Sequence, residues 1–144
     1  MAHNCSSIII KCMDFRLMKE FHRFLKEENL LGDCDEVSWA GAGKDLVDGT
    51  PEEKAFCLKQ IHLSHQLHHA DTVFLLHHSQ CGAYAQAYSF ADTKEEQDRQ
   101  AQDMEKAETA IKFRFPQLKV RHFWAELLDD EGKEIEFSEI KFDD

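Results

Sequence analysis

The sequence predicts an α/β fold: a three-layer domain with a central, mostly parallel β-sheet of about four to five strands in the order 2-1-3-4, flanked by helices. Three observations predict it. Short β-prone runs alternate with helix-patterned segments along the chain, the order that right-handed crossovers turn into a parallel sheet. The run Thr72 to His77, TVFLLH, is almost continuously apolar, as suits a strand covered by helices on both faces. The chain has 144 residues, 42% of them hydrophobic and eleven of them Phe, which is enough to bury one core without disulfides or a structural metal. No repeat, linker or internal boundary interrupts it, so residues 1–144 read as one domain.

The elements follow in order. Ser7 to Asp14, SIIIKCMD, couples a β-branched run to a polar tip and is strand one. From Arg16 the spacing turns helical, with Leu17, Phe21, Phe24 and Leu25 on one face, Lys19, Glu20, Lys26 and Glu27 on the other, and Gly32 as the stop. Glu36 to Ala40 is strand two, running into the Gly41-Ala42-Gly43 turn. Thr50-Pro51-Glu52-Glu53 is a helix start, a capping residue before proline with acids in the first turn, and this helix runs to about His69. Thr72 to His77 is strand three. Lys94 to Phe115 lacks Gly, stops at Pro116 and reads as one long solvated helix. Val120 to Leu128 is strand four, and after the turn Asp129-Asp130-Glu131-Gly132 a last edge strand carries Ile135, Phe137 and Ile140.

Charge and cysteine usage exclude several classes of function. Lys+Arg 17 against Asp+Glu 28 leaves a net charge of −11, and no basic stripe reverses it locally, which argues against nucleic acid as a partner. The aliphatic run Ile8-Ile9-Ile10 is far too short for a signal-peptide core or a membrane span. Five scattered cysteines are an odd number without the spacing of a secreted scaffold, so thiols or metal ligands in the cytoplasm are expected.

In open α/β sheets the ligand site lies beyond the carboxyl ends of the strands, where strand order reverses. With strands two and three on either side of strand one, that crevice opens between the tips bearing Cys12 and His78. Cys12-Met13-Asp14-Phe15-Arg16 follows one tip and His78-Ser79-Gln80-Cys81-Gly82 the other. Two thiolates and an imidazole are donors zinc prefers, and three protein ligands leave a fourth position for water or substrate. A carboxylate beside such a centre, here Asp14, accepts a hydrogen bond or proton there, and Arg16 is placed to hold it by paired contacts. A surface ion pair capping the following helix is the bland alternative for these two residues.

These motifs, C-x-D-x-R at Cys12, Asp14 and Arg16, H-x-x-C-G at His78, Cys81 and Gly82, and the turn Ala40-Gly41-Ala42-Gly43 between them, resemble the beta-class carbonic anhydrases. The resemblance runs from about Ile8 to Gly132. It implies Cys12, His78 and Cys81 as Zn2+ ligands and Asp14 and Arg16 as a catalytic dyad. It further implies a zinc lyase that reversibly hydrates carbon dioxide to bicarbonate by a zinc-bound hydroxide, in a homodimer or higher homo-oligomer. In some members similar to this chain the Asp swings onto zinc and the Arg releases it. Three features depart from the family pattern. The N-terminal helical arm is nearly absent, His77 stands where Gly is usual, and Gly41-Ala42-Gly43-Lys44 replaces an Asn-bearing turn. His77 is expected to shuttle protons or to narrow the pocket.

Two other readings use the same residues: hydrolysis of carbonyl sulfide or carbon disulfide, linear like carbon dioxide, and a zinc-stabilised binding or regulatory protein without turnover. Away from the motifs, His62, His65 and His69, with His68 nearby, share a helical face that reads as a polar or dimer-contact surface rather than a second metal site. Cys34 and Cys57 are expected to be structural thiols, and Cys5 merely exposed. Phe21, Phe24, Phe74 and Phe123 are expected in the core, and Trp39 and Tyr84 beside the pocket.

Overall fold

The computed structural model describes residues 3–142. Its strands are β1 (Ser7–Cys12), β2 (Cys34–Trp39), β3 (Thr72–His78), β4 (Lys119–Leu127) and β5 (Ile135–Ile140). They form one sheet in the order β2-β1-β3-β4-β5, parallel except for β5, which pairs antiparallel with β4. This is the α/β sheet expected from the sequence, with the fifth strand at its edge. The helices are α1 (Met18–Glu27), α2 (Lys44–Asp48), α3 (Pro51–His68), α4 (Gly82–Ala87) and α5 (Thr93–Arg114), with a 3-10 turn at Phe15–Leu17.

Alternation along the buried strands sends side chains to two cores. Ile9, Phe74 and Leu76 face the layer of α1 and α4, where Phe21, Phe24 and Phe123 also pack. Ile8, Ile10, Val73 and Leu75 face α2, α3 and α5, against Leu46, Ile61, Met104 and Ile111. Each such fully buried aliphatic side chain contributes about 1.5–3 kcal/mol. The four Phe expected in the core are there: Phe24 meets Phe123 edge-on at 5.0 Å and Phe74 stacks on Phe123 at 5.7 Å.

Several boundaries differ from those the sequence suggests, for local reasons. β1 stops at Cys12 because Asp14 caps the 3-10 turn, its carboxylate accepting from the Arg16 backbone N–H. α1 ends at Glu27, five residues before Gly32, and Asn29 just beyond it enters the left-handed region at φ 57°. β2 starts two residues earlier than Glu36, paired in register with β1 from Ser7 and Cys34 onward. The short helices α2 and α4 have too few turns to leave a periodic signal in sequence. The start of α3 is as read, with reciprocal bonds between Thr50 and Glu53.

Candidate metal centre

Strand order reverses between β1 and β3, so the crevice between their carboxyl ends is open, and Cys12 and His78 are the last residues of those strands. Gln80 takes a left-handed backbone at φ 58°, which brings Cys81 back toward His78 three residues on. The Cys12 and Cys81 sulfurs lie 3.9 Å apart. The ligand atoms of Cys12, His78 and Cys81 all fall within 4.8 Å of one another, and all three residues are buried. His78 Nδ1 donates to the Ser79 carbonyl at 2.6 Å, which leaves a lone pair on Nε2. That Nε2 is buried and without a hydrogen-bond partner.

The donor set fits zinc. Zinc–sulfur bonds of about 2.3 Å in a tetrahedron place two sulfurs about 3.8 Å apart. An orphaned buried ring nitrogen costs about 1–3 kcal/mol unless something accepts its lone pair, and a cation is such a partner. The hydrogen bond from Cys81, aided by His78, holds the Cys12 thiol well below the ordinary thiol range against desolvation. The same bond, with burial, pushes Cys81 up.

Asp14 and Arg16 meet beside this cluster as the motif suggested. Arg16 Nη2 and Nε donate to the Asp14 carboxylate at 2.7 and 3.1 Å, and Asp14 Oδ2 stands 3.8 Å from His78 Nε2. Burial pushes the Asp14 carboxyl up, but the Arg16 side-chain and backbone hydrogen bonds outweigh it and hold the group below the usual carboxylate range. The ion pair does cap the following turn, through the Arg16 backbone N–H, and the same Asp14 carboxylate also stands beside the cluster. Arg16 is itself fixed by the Gln80 side-chain and backbone oxygens at 2.9 Å and by the Asp130 carbonyl at 3.1 Å. A cleft of about 760 Å³ opens onto Cys12, Asp14 and Arg16, with Met13, Phe15 and Ala83 among its apolar walls.

Beneath the cluster runs a polar network that sequence reasoning missed. Glu96 accepts from the backbone N–H groups of Gln80 and Cys81 at 2.8 and 3.0 Å. Gln100 donates to the His78 carbonyl at 2.9 Å and to Glu96 at 3.1 Å. These residues lie on α5, which is solvated on one side only: Glu96, Gln100, Asp103, Ala107 and Ile111 form a buried stripe at helical spacing. That spacing is present in the sequence, but its polar half disguises it as surface.

A family model described as "putative carbonic anhydrase" matches residues 2–136. The chain belongs to that family. It is 34% identical over 125 residues to an uncharacterized protein of Rickettsia bellii, covering 84% of this chain and 76% of the relative. Among solved structures it is similar to the carbonic anhydrase of Streptococcus mutans, with a TM-score of 0.62 at 19% identity over 97% of this chain and 84% of that one. It is also similar to tetrameric beta-carbonic anhydrases of Sordaria macrospora, with a TM-score of 0.58 at 16% identity, covering 96% and 82%.

Within this carbonic anhydrase family framework, several expected neighbours of the pocket lie elsewhere. His77 does not line the cleft: it is buried, Nδ1 donates to Gln100 Oε1 at 2.9 Å, and Nε2 accepts from the Gly43 N–H at 3.0 Å. Burial lowers its pKa to about 4. A Cβ at Gly43 would sit 3.1 Å from His77 Nε2, closer than ordinary van der Waals contact. Tyr84 is fully buried, donating to Asp103 at 2.9 Å, and Trp39 packs on Phe56 and lines a separate cavity with α3. The Trp39 side chain leaves β2 toward α3, and the Tyr84 side chain leaves α4 toward Asp103 on α5. The histidines of α3 and its C-cap diverge: His62 stacks on Phe115, His65 bonds the Ala70 carbonyl, and the capping His69 bonds Asn4. Cys57 is buried and Cys34 half-buried, and burial raises both thiols to about 11, as structural thiols require. Cys5 is half-buried rather than exposed.

Proposed function

We propose that this protein reversibly hydrates carbon dioxide to bicarbonate, with zinc held by Cys12, His78 and Cys81. The observation that carries this reading is the unpartnered, buried Nε2 of His78, facing two sulfurs 3.9 Å apart with Asp14 Oδ2 3.8 Å away. Cys12, His78 and Cys81 would hold the zinc, which would supply Lewis acidity enough to bring the pKa of a water there to about 7. Asp14, kept ionised by Arg16, accepts a hydrogen bond from the attacking water and orients its lone pair toward the substrate carbon. Arg16 holds Asp14 in that pose through contacts that Gln80 and Asp130 brace. The Met13, Phe15 and Ala83 walls suit a small nonpolar substrate.

A homodimer in the cytoplasm completes the proposal. Met13 and Phe15 at the cleft rim are 64% and 80% exposed, an apolar surface suited to a second copy. Five free cysteines suit a reducing compartment, and no described helix is long and apolar enough to cross a membrane.

Metal analysis of protein purified without added zinc, followed by stopped-flow carbon dioxide hydration, tests the reading. About one zinc is expected at this site, with hydration abolished by Asp14→Asn and strongly reduced by Arg16→Ala while zinc is retained. Zinc without hydration above the Asp14→Asn background overturns the activity, and metal retained here after Cys12→Ser with His78→Ala overturns the ligand set. Faster hydrolysis of carbonyl sulfide than hydration of carbon dioxide would redirect the substrate without moving the site.

A further inference from the structure

At the opposite end of the sheet, Cys5, Asp35 and His68 bring a thiol, a carboxylate and an imidazole within 4.8 Å of one another, all half-buried. Three separate elements supply them: the segment entering β1, the second residue of β2, and the last residue of α3. The backbone fixes their approach. Cys5 N–H donates to the His68 carbonyl at 3.0 Å, and Asp35 is held opposite Ile8 by the β1–β2 register. The Asp35 carboxylate accepts from Ser64 Oγ at 2.7 Å and lies 2.6 Å from His68 Nδ1. The His3 ring packs 4.8 Å from the ring of His68, beside the same cluster. Asn4 bonds His69 at 2.8 Å, which pins the segment carrying Cys5.

The charge around this cluster is one-sided. Burial pushes the Cys5 thiol up, and the charges of Asp35 and, more weakly, Asp33 add to it. Ser64 restrains the carboxylate from outside as a supporting contact does in a metal site. A divalent cation would take the place of the His68–Asp35 hydrogen bond, neutralise the carboxylate and thiolate, and use the half-exposed side for water or His3 as a fourth ligand. From these observations we infer that Cys5, Asp35 and His68 form a second divalent-cation site, selective for zinc or a cation with the same taste for mixed sulfur, nitrogen and oxygen donors. The site is independent of the first. The length of β1 separates the two by about 20 Å at roughly 3.3 Å per residue.

The test reads Cys5 directly. Wild-type protein is alkylated with iodoacetamide with and without buffered zinc, and the rate at Cys5 is followed by peptide mass spectrometry. With zinc at about ten times Kd the free thiol fraction, and with it the rate, falls roughly tenfold. His68→Gln and Asp35→Asn are each expected to abolish that protection at the same zinc concentration. Equal rates with and without zinc in the wild type overturn the inference, as does full protection in both folded variants, which would mean zinc on a lone thiol. If either variant fails to fold by circular dichroism, the other and the wild-type comparison still decide. Because only Cys5 is read, the outcome does not depend on whether Cys12, His78 and Cys81 hold zinc.

Discussion

Replacing Gly132 by Ala probes the brace behind Arg16 from a residue that touches neither metal ligand nor cleft. Gly132 sits at φ +74°, and a Cβ built on it falls 2.7 Å from the Arg16 carbonyl oxygen and 2.8 Å from Arg16 Cβ. The left-handed backbone costs an alanine roughly 1–2 kcal/mol. The contact adds about 1–3 kcal/mol of overpacking, because its targets are backbone and Cβ, which cannot swing away. Gly32→Ala is the control, since Gly32 has φ +76° but nothing within 4 Å of its Cβ, so it carries the strain alone. At roughly 3 °C of Tm per kcal/mol for a chain of this size, Gly132→Ala is expected to melt about 3–9 °C below Gly32→Ala. Relief of the clash moves Arg16 against Asp14, and a displacement near 1 Å lowers carbon dioxide hydration by about a hundredfold with zinc content unchanged. Differential scanning calorimetry of both variants at equal zinc loading, with stopped-flow hydration, makes the comparison. Equal melting losses in the two variants, with hydration intact in Gly132→Ala, would refute the reasoning.

Three further outcomes follow from the packing around the site. His77 is neutral when folded, with its pKa lowered by burial to about 4 from an ordinary 6.5, so the unfolded chain binds more protons between those values and stability falls as pH drops. That amounts to about 3 kcal/mol across the window, and chemical denaturation of His77→Asn should show a shallower pH slope there than the wild type. Glu96→Ala strips the acceptor from the Gln80 and Cys81 N–H groups and should cost about 2–4 kcal/mol with weakened zinc retention, read by competition with a chelator. Tyr84→Phe leaves Asp103 Oδ2 without its donor and should cost about 1–3 kcal/mol in urea unfolding while hydration stays at the wild-type rate, because this ring is not in the cleft.

The centre was legible because its signal is positional. Two strand tips, each ending in a chemically distinctive motif, meet by the topology rule alone, and Cys12, His78, Cys81, Asp14 and Arg16 converge where the switch point of the sheet requires. Side-chain direction at single residues was harder to read. Tyr84 and Trp39 neighbour the motif turns in sequence yet point into the helix layers, and His77, one residue from His78, faces the opposite side of the sheet toward Gly43 and Gln100. Cys5 reads in sequence as merely an exposed thiol because its neighbours, Asp35 and His68, lie 30 and 63 residues away in the chain.

The sequence by itself determined the alternating elements, the family motifs and the five residues at the strand tips, because hydrophobic periodicity and turn chemistry are local properties of the chain. Only the tertiary structure decided what lies behind them. Glu96 and Gln100 on α5 reach back to hold the His78–Cys81 loop, and Asp130 and Gly132 close over Arg16 from the turn before β5. Such contacts depend on how layers pack and on which buried polar atoms need partners, and no spacing along the chain encodes either.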